Sequence, residues 1–277
     1  MSYYQHLKVL SPKNNFILIE IIALIIAGLL VGFINTLAGG GSIISLSVLM
    51  MLGLPAPLAN GTNRIAITIQ TLTATTSFRQ QKVLETRKAL LLSIPAVFGS
   101  LIGAWFAVDI NEDIFEKAVG VIMLIMLVFI LYKPQKFIYG RANISEKPLT
   151  WTTYVAFFFI GIYGGFIHMG VGYFLLAGIV GMAGFDLVKA NAIKVFVVLI
   201  YAPFTLLVFL WYDQVNWKYG LFLAIGAVIG ALIASRLAVS KGVNFVKWVI
   251  VVVILITSAD MFGLVDIKSH ISGLISN

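Results

Sequence analysis

Long apolar runs alternate with short polar segments along nearly the whole chain. The runs at 16–36 and 89–108 have the length of bilayer-spanning helices, because such a helix needs about 20 mostly apolar residues. The run at 42–54 is shorter, as expected of a half-crossing or re-entrant helix, and a glycine-rich stretch precedes it. The pattern predicts an all-α polytopic membrane protein with a helix that is broken inside the membrane.

Composition supports this prediction and excludes other classes. Hydrophobic residues make up 60% of the chain, charged residues 11%, and the mean hydropathy is +1.02. A soluble domain of this size cannot bury so much apolar surface. The formal charge of +8 comes from short basic clusters between apolar runs, which is typical of a positive-inside membrane protein and not of a nucleic-acid-binding one. The chain has no cysteine, so disulfides and thiolate chemistry are excluded.

The second half of the chain repeats the first at a constant offset of 131 residues. Four separated signals share that offset, which is the mark of an internal repeat. They are Gly39-x-Gly41 with Gly170-x-Gly172, Gly53 with Gly184, Ala59-Asn60 with Ala190-Asn191, and Ala96-Val97-x-Gly99 with Ala227-Val228-x-Gly230. We therefore expect two repeats of five apolar segments each. Small residues at Gly99-x-x-x-Gly103 and Gly226-x-x-x-Gly230 also predict close helix packing.

The repeats and the charged segments divide the chain into five parts. These are a polar lead at 1–15, a first transmembrane repeat at 16–132, a basic linker at 133–150, a second transmembrane repeat at 151–266 and a polar tail at 267–277.

An odd number of traverses inverts the second repeat relative to the first. Inversion places the basic segments 79–88, 133–147 and 236–247 on one side of the membrane and the acidic segment 109–113 on the other. A parallel arrangement with four traverses per half would place the third basic segment on the other side of the membrane from the first two. Charge therefore favours inversion, although two lysines in the polar lead count against it.

The glycine breaks are candidate anion sites. A helix that is interrupted in the membrane exposes backbone N–H groups at the start of its second half, and the helix dipole also attracts an anion there. The alternative is that the glycines only allow packing or turning. The candidate substrate contacts at the breaks are Asn35, Gly39, Gly40, Gly41 and Ser42 in the first repeat, and His168, Gly170, Gly172 and Tyr173 in the second.

The run at 57–78 is too polar to face lipid, so one of its faces looks into protein or water. Polar residues recur there with helical spacing, and a related series follows in the second repeat. Each face carries a cation, Arg64 or Lys194, which needs water, an acid or an anion as a partner, unless it extends to an interface. The candidate substrate contacts on these faces are Asn60, Asn63, Arg64, Asn191, Lys194 and Tyr201.

Three titratable groups are candidates for proton coupling. His168 lies in the second break, where it could bind an anion or carry a proton near neutral pH. Glu20 and Asp260 are carboxylates inside predicted helices, and pairing or interfacial exposure is the alternative for both. A lone histidine without carboxylates is a poor metal site, so we expect neither a metal nor a cofactor.

The glycine-rich break, followed by Leu52-Gly53-Leu54-Pro55, Ala59-Asn60-Gly61-Thr62-Asn63 and a glycine-containing third helix, resembles the TauE/SafE family. This family of bacterial membrane transporters is also called the toluenesulfonate uptake permease family. The likeness extends over about 16–264. It implies secondary transport of a small anion, such as sulfite or an organosulfonate, outward across the cytoplasmic membrane of a bacterium.

Two functions remain open at this level. The first is a secondary transporter with alternating access around a midplane site, with a small anion, a coupling proton or cation and the lipid bilayer as partners. The second is a passive channel for small anions or neutral solutes. An enzyme is disfavoured because the chain has no HExxH motif and no recognisable Ser/His pair, and it has no phosphate-binding loop for ATP. Homo-oligomerisation and a separate ATPase subunit also remain open.

Overall fold

The computed structural model of the chain describes residues 12–109, 114 and 147–261, and the described residues form eight helices. In chain order they are α1 (Pro12–Leu37), α2 (Ser42–Met51), α3 (Ala56–Gln80), α4 (Thr86–Asp109), α5 (Trp151–Phe166), α6 (Val171–Ala183), α7 (Leu187–Trp211) and α8 (Trp217–Met261). The last of these is two helices in one run, because Gly242 has φ 72° and ψ −167°.

Four segments of the described residues are long and apolar enough to cross a membrane. They are Leu18–Leu37, Thr86–Val108, Leu187–Trp211 and Trp217–Gly242. Helix α3 is not one of them because of its polar residues, although its 25 residues extend over about 37 Å, enough to cross a bilayer. The predicted all-helical membrane fold is confirmed.

Both predicted helix breaks are present. α1 ends at Leu37 and α2 begins at Ser42, while α5 ends at Phe166 and α6 begins at Val171. Gly39 has φ 97° in the first break, and Gly170 has φ 69° in the second. These left-handed conformations suit glycine, which has no Cβ to clash, and they end each helix sharply.

The basic segment after α3 lies at one end of the bundle with the middle of α8. Ser235 Oγ donates to Ser77 Oγ at 2.7 Å, and Lys88 Nζ donates to the carbonyl of Lys147 at 3.5 Å. The backbone N–H of Lys147 in turn donates to the carbonyl of Ala183. This basic end carries Arg79, Lys82, Arg87, Lys88, Lys147, Arg236 and Lys241.

Helix α4 leads from the basic end to the opposite end. There Gln214 Nε2 donates to the carbonyl of Val108 at 3.1 Å, and the N–H of Asn216 donates to Thr62 Oγ1 at 2.9 Å. The α7–α8 connection, the end of α4 and the first turns of α3 are therefore neighbours.

Helices of the first repeat pack against helices of the second. α1 packs along α8, α4 packs along α5, and α3 packs against α7 in the centre. The predicted close approaches occur in both pairs: Gly226 and Gly230 lie against the backbone of α1, and Gly99 and Gly103 lie against that of α5. A Cβ at any of these four positions would overlap a backbone carbonyl of the partner helix.

Several predicted parts fall outside the described residues. They are most of the polar lead 1–15, most of the acidic segment 109–113, residues 115–132 of the first repeat, residues 133–146 of the linker, residues 262–266 of the second repeat and the polar tail 267–277.

Candidate functional site

The two glycine breaks touch. A Cβ built on Gly39 would overlap the backbone of Gly172, and one built on Gly172 would overlap that of Gly39. The ring of Tyr173 covers Gly40 at the same place. The first and second repeats therefore meet backbone to backbone at the positions where each hairpin turns.

A cavity lies beside this contact. Its lining comes from both breaks and from the central helices α3 and α7, and it contains a lysine and a histidine but no carboxylate. The lining residues are Asn35, Thr36, Gly39, Gln70, Thr71, His168, Val171, Gly172, Lys194, Val195 and Val198. Formal positive charge without a compensating acid favours an anionic occupant.

Lys194 is the cation of the cavity and is only 2% exposed. Its Nζ donates to the carbonyl of Thr36 at 2.9 Å and to Asn191 Oδ1 at 2.6 Å. An ammonium group has three N–H donors, and the third has no hydrogen-bond partner among the described residues. Lys194 can therefore hold the end of α1 and still donate to a ligand in the cavity.

Arg64 is completely buried, but it is not part of the cavity lining. Its Nη1 donates to the carbonyl of Gly164 at 2.6 Å, and its Nη2 donates to that of Gly165 at 2.8 Å. The guanidinium also lies 5.3 Å from the ring centroid of Phe209, within the range of a cation–π contact. Its Nη2 also donates to Asn60 Oδ1 at 3.3 Å, and its Nε has no hydrogen-bond partner among the described residues.

His168 is 4% exposed and has a left-handed backbone, with φ 58°. This conformation is uncommon for a residue with a side chain, and such residues concentrate at functional sites. Its Nδ1 lies 3.0 Å from the hydroxyl of Tyr201. The pair connects the second break to α7 beside the cavity.

Several buried polar atoms at the breaks have no hydrogen-bond partner. Asn35 Oδ1 and Gln70 Oε1 belong to cavity-lining residues, and the hydroxyl of Tyr173 lies near Gly40. Both side-chain atoms of Asn63 are also unpartnered. Folded proteins seldom leave buried polar groups unsatisfied, so the unpartnered atoms of the lining residues Asn35 and Gln70 are suited to a polar ligand or to water.

The structure brings together some of the predicted site residues at the cavity and leaves others beside it. Asn35, Gly39, His168, Gly172 and Lys194 are in the lining. Ser42, Asn191 and Tyr201 contact lining residues through hydrogen bonds. The remaining predicted site residues also lie outside the lining; they are Gly40, Gly41, Asn60, Asn63, Arg64, Gly170 and Tyr173.

Glu20, one of the two predicted carboxylates, is not in the cavity lining. Glu20 lies at the end of the bundle opposite the basic end, where its Oε2 accepts a hydrogen bond from the hydroxyl of Tyr219 at 3.1 Å. Asp260 belongs to the last helix, and its side chain lies outside the described residues. Proton coupling through Glu20 or Asp260 stays a prediction from the sequence.

Sequence reasoning missed part of the lining. Thr36, Gln70, Thr71, Val171, Val195 and Val198 are lining residues that were not selected as site candidates. The 131-residue offset pairs Gln70 with the selected Tyr201, so applying the repeat to each candidate would have found it. Val171 and Val195 gave no signal because apolar residues on an apolar helix are not distinctive, whereas Val198 lies on the predicted helical face of Lys194.

Comparison with known proteins identifies relatives over most of the chain. The family model described as sulfite exporter TauE/SafE matches residues 24–261. A Sinorhizobium protein named "Probable membrane transporter protein ORF9" is 28% identical over 233 residues, 83% of this chain and 87% of that protein. A "Probable membrane transporter protein" of Haemophilus influenzae is 26% identical over 252 residues, 88% of this chain and 95% of that protein.

A third relative is "Probable membrane transporter protein YfcA" of Escherichia coli K12, which is 26% identical over 239 residues, 86% of this chain and 88% of that protein. No solved structure matches the chain. The family match covers the glycine breaks, the central helices and the cavity. This multi-pass membrane protein therefore belongs to the sulfite exporter TauE/SafE family of membrane transporters.

Proposed function

We propose that the protein is a secondary transporter that exports small anions by alternating access, with its substrate site in the cavity beside the Gly39–Gly172 contact. That contact is the observation that carries the proposal, because it brings the turning points of both hairpins to one cavity. Broken helices that meet around a shared site are the usual architecture of secondary transporters with repeats.

The chemistry of the cavity supports an anionic substrate. Lys194 supplies positive charge, and Asn35, Gln70 and Thr71 supply polar groups. Gln70 and Asn35 each have an unpartnered amide oxygen. Rotation of either amide group by 180° exchanges its oxygen and its NH₂ group, so that the NH₂ group can donate to an anion. Small oxyanions such as sulfite or the head group of an organosulfonate match this set of donors, and the family description supports sulfite and export.

The contacts at the two ends of the bundle support inverted repeats. Glu20, near the start of α1, contacts Tyr219 at the end opposite the basic end, and Thr62 of α3 contacts Asn216 there as well. The α1–α2 hairpin thus begins and ends at that side. The α5–α6 hairpin begins and ends at the basic side, where Lys147 contacts Ala183. By the positive-inside rule we place the basic end in the cytoplasm.

His168 is the proposed carrier of a coupling proton. It lines the cavity and contacts Tyr201, and an imidazole is the side chain best suited to titrate near neutral pH. A proton on His168 would add positive charge beside the bound anion, which links protonation to anion affinity.

Flux measurements in proteoliposomes test the proposal. We expect saturable flux of radiolabelled sulfite, acceleration by unlabelled sulfite on the opposite side, and a response to an imposed pH gradient. Flux that never saturates and shows neither exchange nor proton dependence would identify a passive channel. A thermal-shift screen of purified protein against sulfite, sulfate, thiosulfate, sulfonates and carboxylates should rank the substrates, because a ligand that binds only the folded state raises Tm.

A further inference from the structure

Three consecutive carbonyls at the end of α5 accept hydrogen bonds from one turn of α3. Arg64 donates to the carbonyls of Gly164 and Gly165, and Asn60 Nδ2 donates to that of Phe166 at 2.8 Å. The last carbonyls of a helix have no partner within it, and a cation placed there also interacts favourably with the helix dipole. Asn60 and Arg64 thus form a clamp on the end of α5.

A second clamp holds the end of α1. Lys194 of α7 donates to the carbonyl of Thr36 and is itself held by Asn191. Asn191 lies 131 positions after Asn60, so both clamps use the same asparagine of the repeat. The cations differ, because the position equivalent to Lys194 in the first repeat is Asn63 and not Arg64. Each clamp joins a central helix of one repeat to the broken helix of the other.

Neither cation has a carboxylate partner among the described side chains, although Arg64 is 0% and Lys194 2% exposed. A buried cation must be compensated. The carbonyl ends of α5 and α1 supply partial negative charge at these positions. The clamps therefore fix the two broken helices and stabilise the buried charges at the same time.

The clamps differ in their relation to the cavity. The two terminal nitrogens of Arg64 both bind the end of α5, and Nη2 also donates to Asn60. The Nε of Arg64 has no partner among the described residues, but Arg64 is absent from the lining, whereas Lys194 is part of it. Lys194 lines the cavity and makes two hydrogen bonds, which leaves its third N–H for a ligand. The end of α5 continues into His168, whereas the end of α1 continues into Gly39.

We infer that Asn60 and Arg64 are positioning residues that hold the His168 side of the cavity without contacting the substrate, while Lys194 both holds α1 and binds the anion. This inference rests on the proposed function, because it assigns different roles to the residues of that site. It gives Arg64 a different role from the substrate contact predicted from the sequence.

Hydrogen exchange of the full chain in nanodiscs tests the clamps without any substrate. Arg64→Gln should raise amide exchange about tenfold in a peptide covering 164–172 and less than about twofold in one covering 36–44, because it releases only the end of α5. Lys194→Gln should give the reverse. The matched control is Arg79→Gln, which removes an exposed cation of the same helix and should change neither peptide.

Exchange that rises equally in both peptides, or only within α3, would overturn the clamp. If Arg64→Gln does not fold, Asn60→Ala replaces it. That variant removes the Phe166 contact and the Asn60 Oδ1 that accepts from Arg64 Nη2 at 3.3 Å, but it keeps Arg64 itself. It should raise exchange in the 164–172 peptide about threefold. No increase in that peptide would again contradict the inference.

Transport of radiolabelled sulfite in proteoliposomes tests the division of roles. Arg64→Gln should lower Vmax about tenfold with KM within about twofold of wild type, and Lys194→Gln should raise KM about tenfold or more. Arg64→Lys keeps the charge and should recover part of the lost Vmax. A KM increase for Arg64→Gln as large as that for Lys194→Gln overturns the inference. If the wild-type chain carries no sulfite flux, the proposed substrate is wrong, and the exchange experiment still decides the clamps.

Discussion

Gly39 and Gly172 lie so close that neither can carry a side chain without displacing the other's backbone. They belong to different repeats and are separated by most of the first repeat and the linker. Gly39 also has a left-handed φ of 97°, whereas Gly172 lies within helix α6 and does not have a left-handed backbone. Glycine at position 172 is therefore required by contact alone, whereas at position 39 contact and backbone conformation both require it.

Gly172→Ala is expected to destabilise the protein and reduce transport, because the added methyl group must push the two breaks apart. Overpacking of this kind costs about 1–3 kcal/mol, which corresponds to a loss of roughly 2–12 °C in Tm. Gly181→Ala is the matched control in the same helix, since a Cβ there meets no atom within 4 Å. Equal thermal-shift values for the two variants would contradict the close contact.

Gln70→Leu should weaken sulfite transport without lowering stability. Gln70 lines the cavity, and its Oε1 is buried without a partner. Removing an unsatisfied buried polar group is neutral or stabilising, whereas loss of the amide from the site should raise KM. The expected result is a higher KM with Tm unchanged or increased. Leu72→Ala, at an exposed position of the same helix, is the control, and an unchanged KM for Gln70→Leu would remove it from the site.

His168→Asn should flatten the pH dependence of transport if His168 carries the coupling proton. Asparagine tolerates the left-handed conformation at this position and keeps an amide donor, but it does not titrate. The charged and titratable groups near it are Lys194 in the same lining, Arg64 and the hydroxyl of Tyr201. Tyr201→Phe is the companion variant because this hydroxyl contacts His168 directly. Initial rates measured across a pH series check this. A profile for His168→Asn that follows the wild type would exclude His168 as the carrier.

Gly99→Ala and Gly226→Ala should destabilise the protein to a similar extent. Each methyl group would overlap a carbonyl of the partner helix, of α5 for Gly99 and of α1 for Gly226. The α4–α5 pair and the α1–α8 pair each join one helix from the first repeat to one from the second. Both variants therefore disturb the same kind of close helix packing. Tm measurements should show comparable decreases, again consistent with about 1–3 kcal/mol. A large decrease for only one variant would mean that the two pairs are not equivalent.

Single cysteines at Arg87 and Arg236 should be labelled from the same side of the membrane. Both residues are exposed and lie at the basic end, and the chain has no cysteine of its own to interfere. Lys218→Cys, near the start of α8 at the other end, should be labelled from the opposite side. Membrane-impermeant maleimide on intact cells and on inverted vesicles gives the measurement. Labelling of Arg87→Cys and Arg236→Cys from opposite sides would exclude the inverted arrangement.

The sequence by itself determined the helical elements and where they break. The apolar run predicted at 89–108 lies within the helix Thr86–Asp109, and glycines with left-handed backbones separate α1 from α2 and α5 from α6. These features are local: segment length, hydropathy and backbone freedom decide them. The repeat was also visible in the sequence, since the 131-residue offset depends only on residue identity.

Tertiary structure decided which polar groups meet. Arg64 binds carbonyls 100 and 101 positions away, and Lys194 binds one 158 positions away. Any residue type provides a carbonyl, so sequence carries no signal for these partners. Equivalent positions also hold different side chains, Asn63 in one repeat and Lys194 in the other. The cavity therefore has Lys194 in its lining and not Arg64. Side-chain size and the packing of distant helix ends decide where an unfilled volume and a cation without an acid partner lie next to each other.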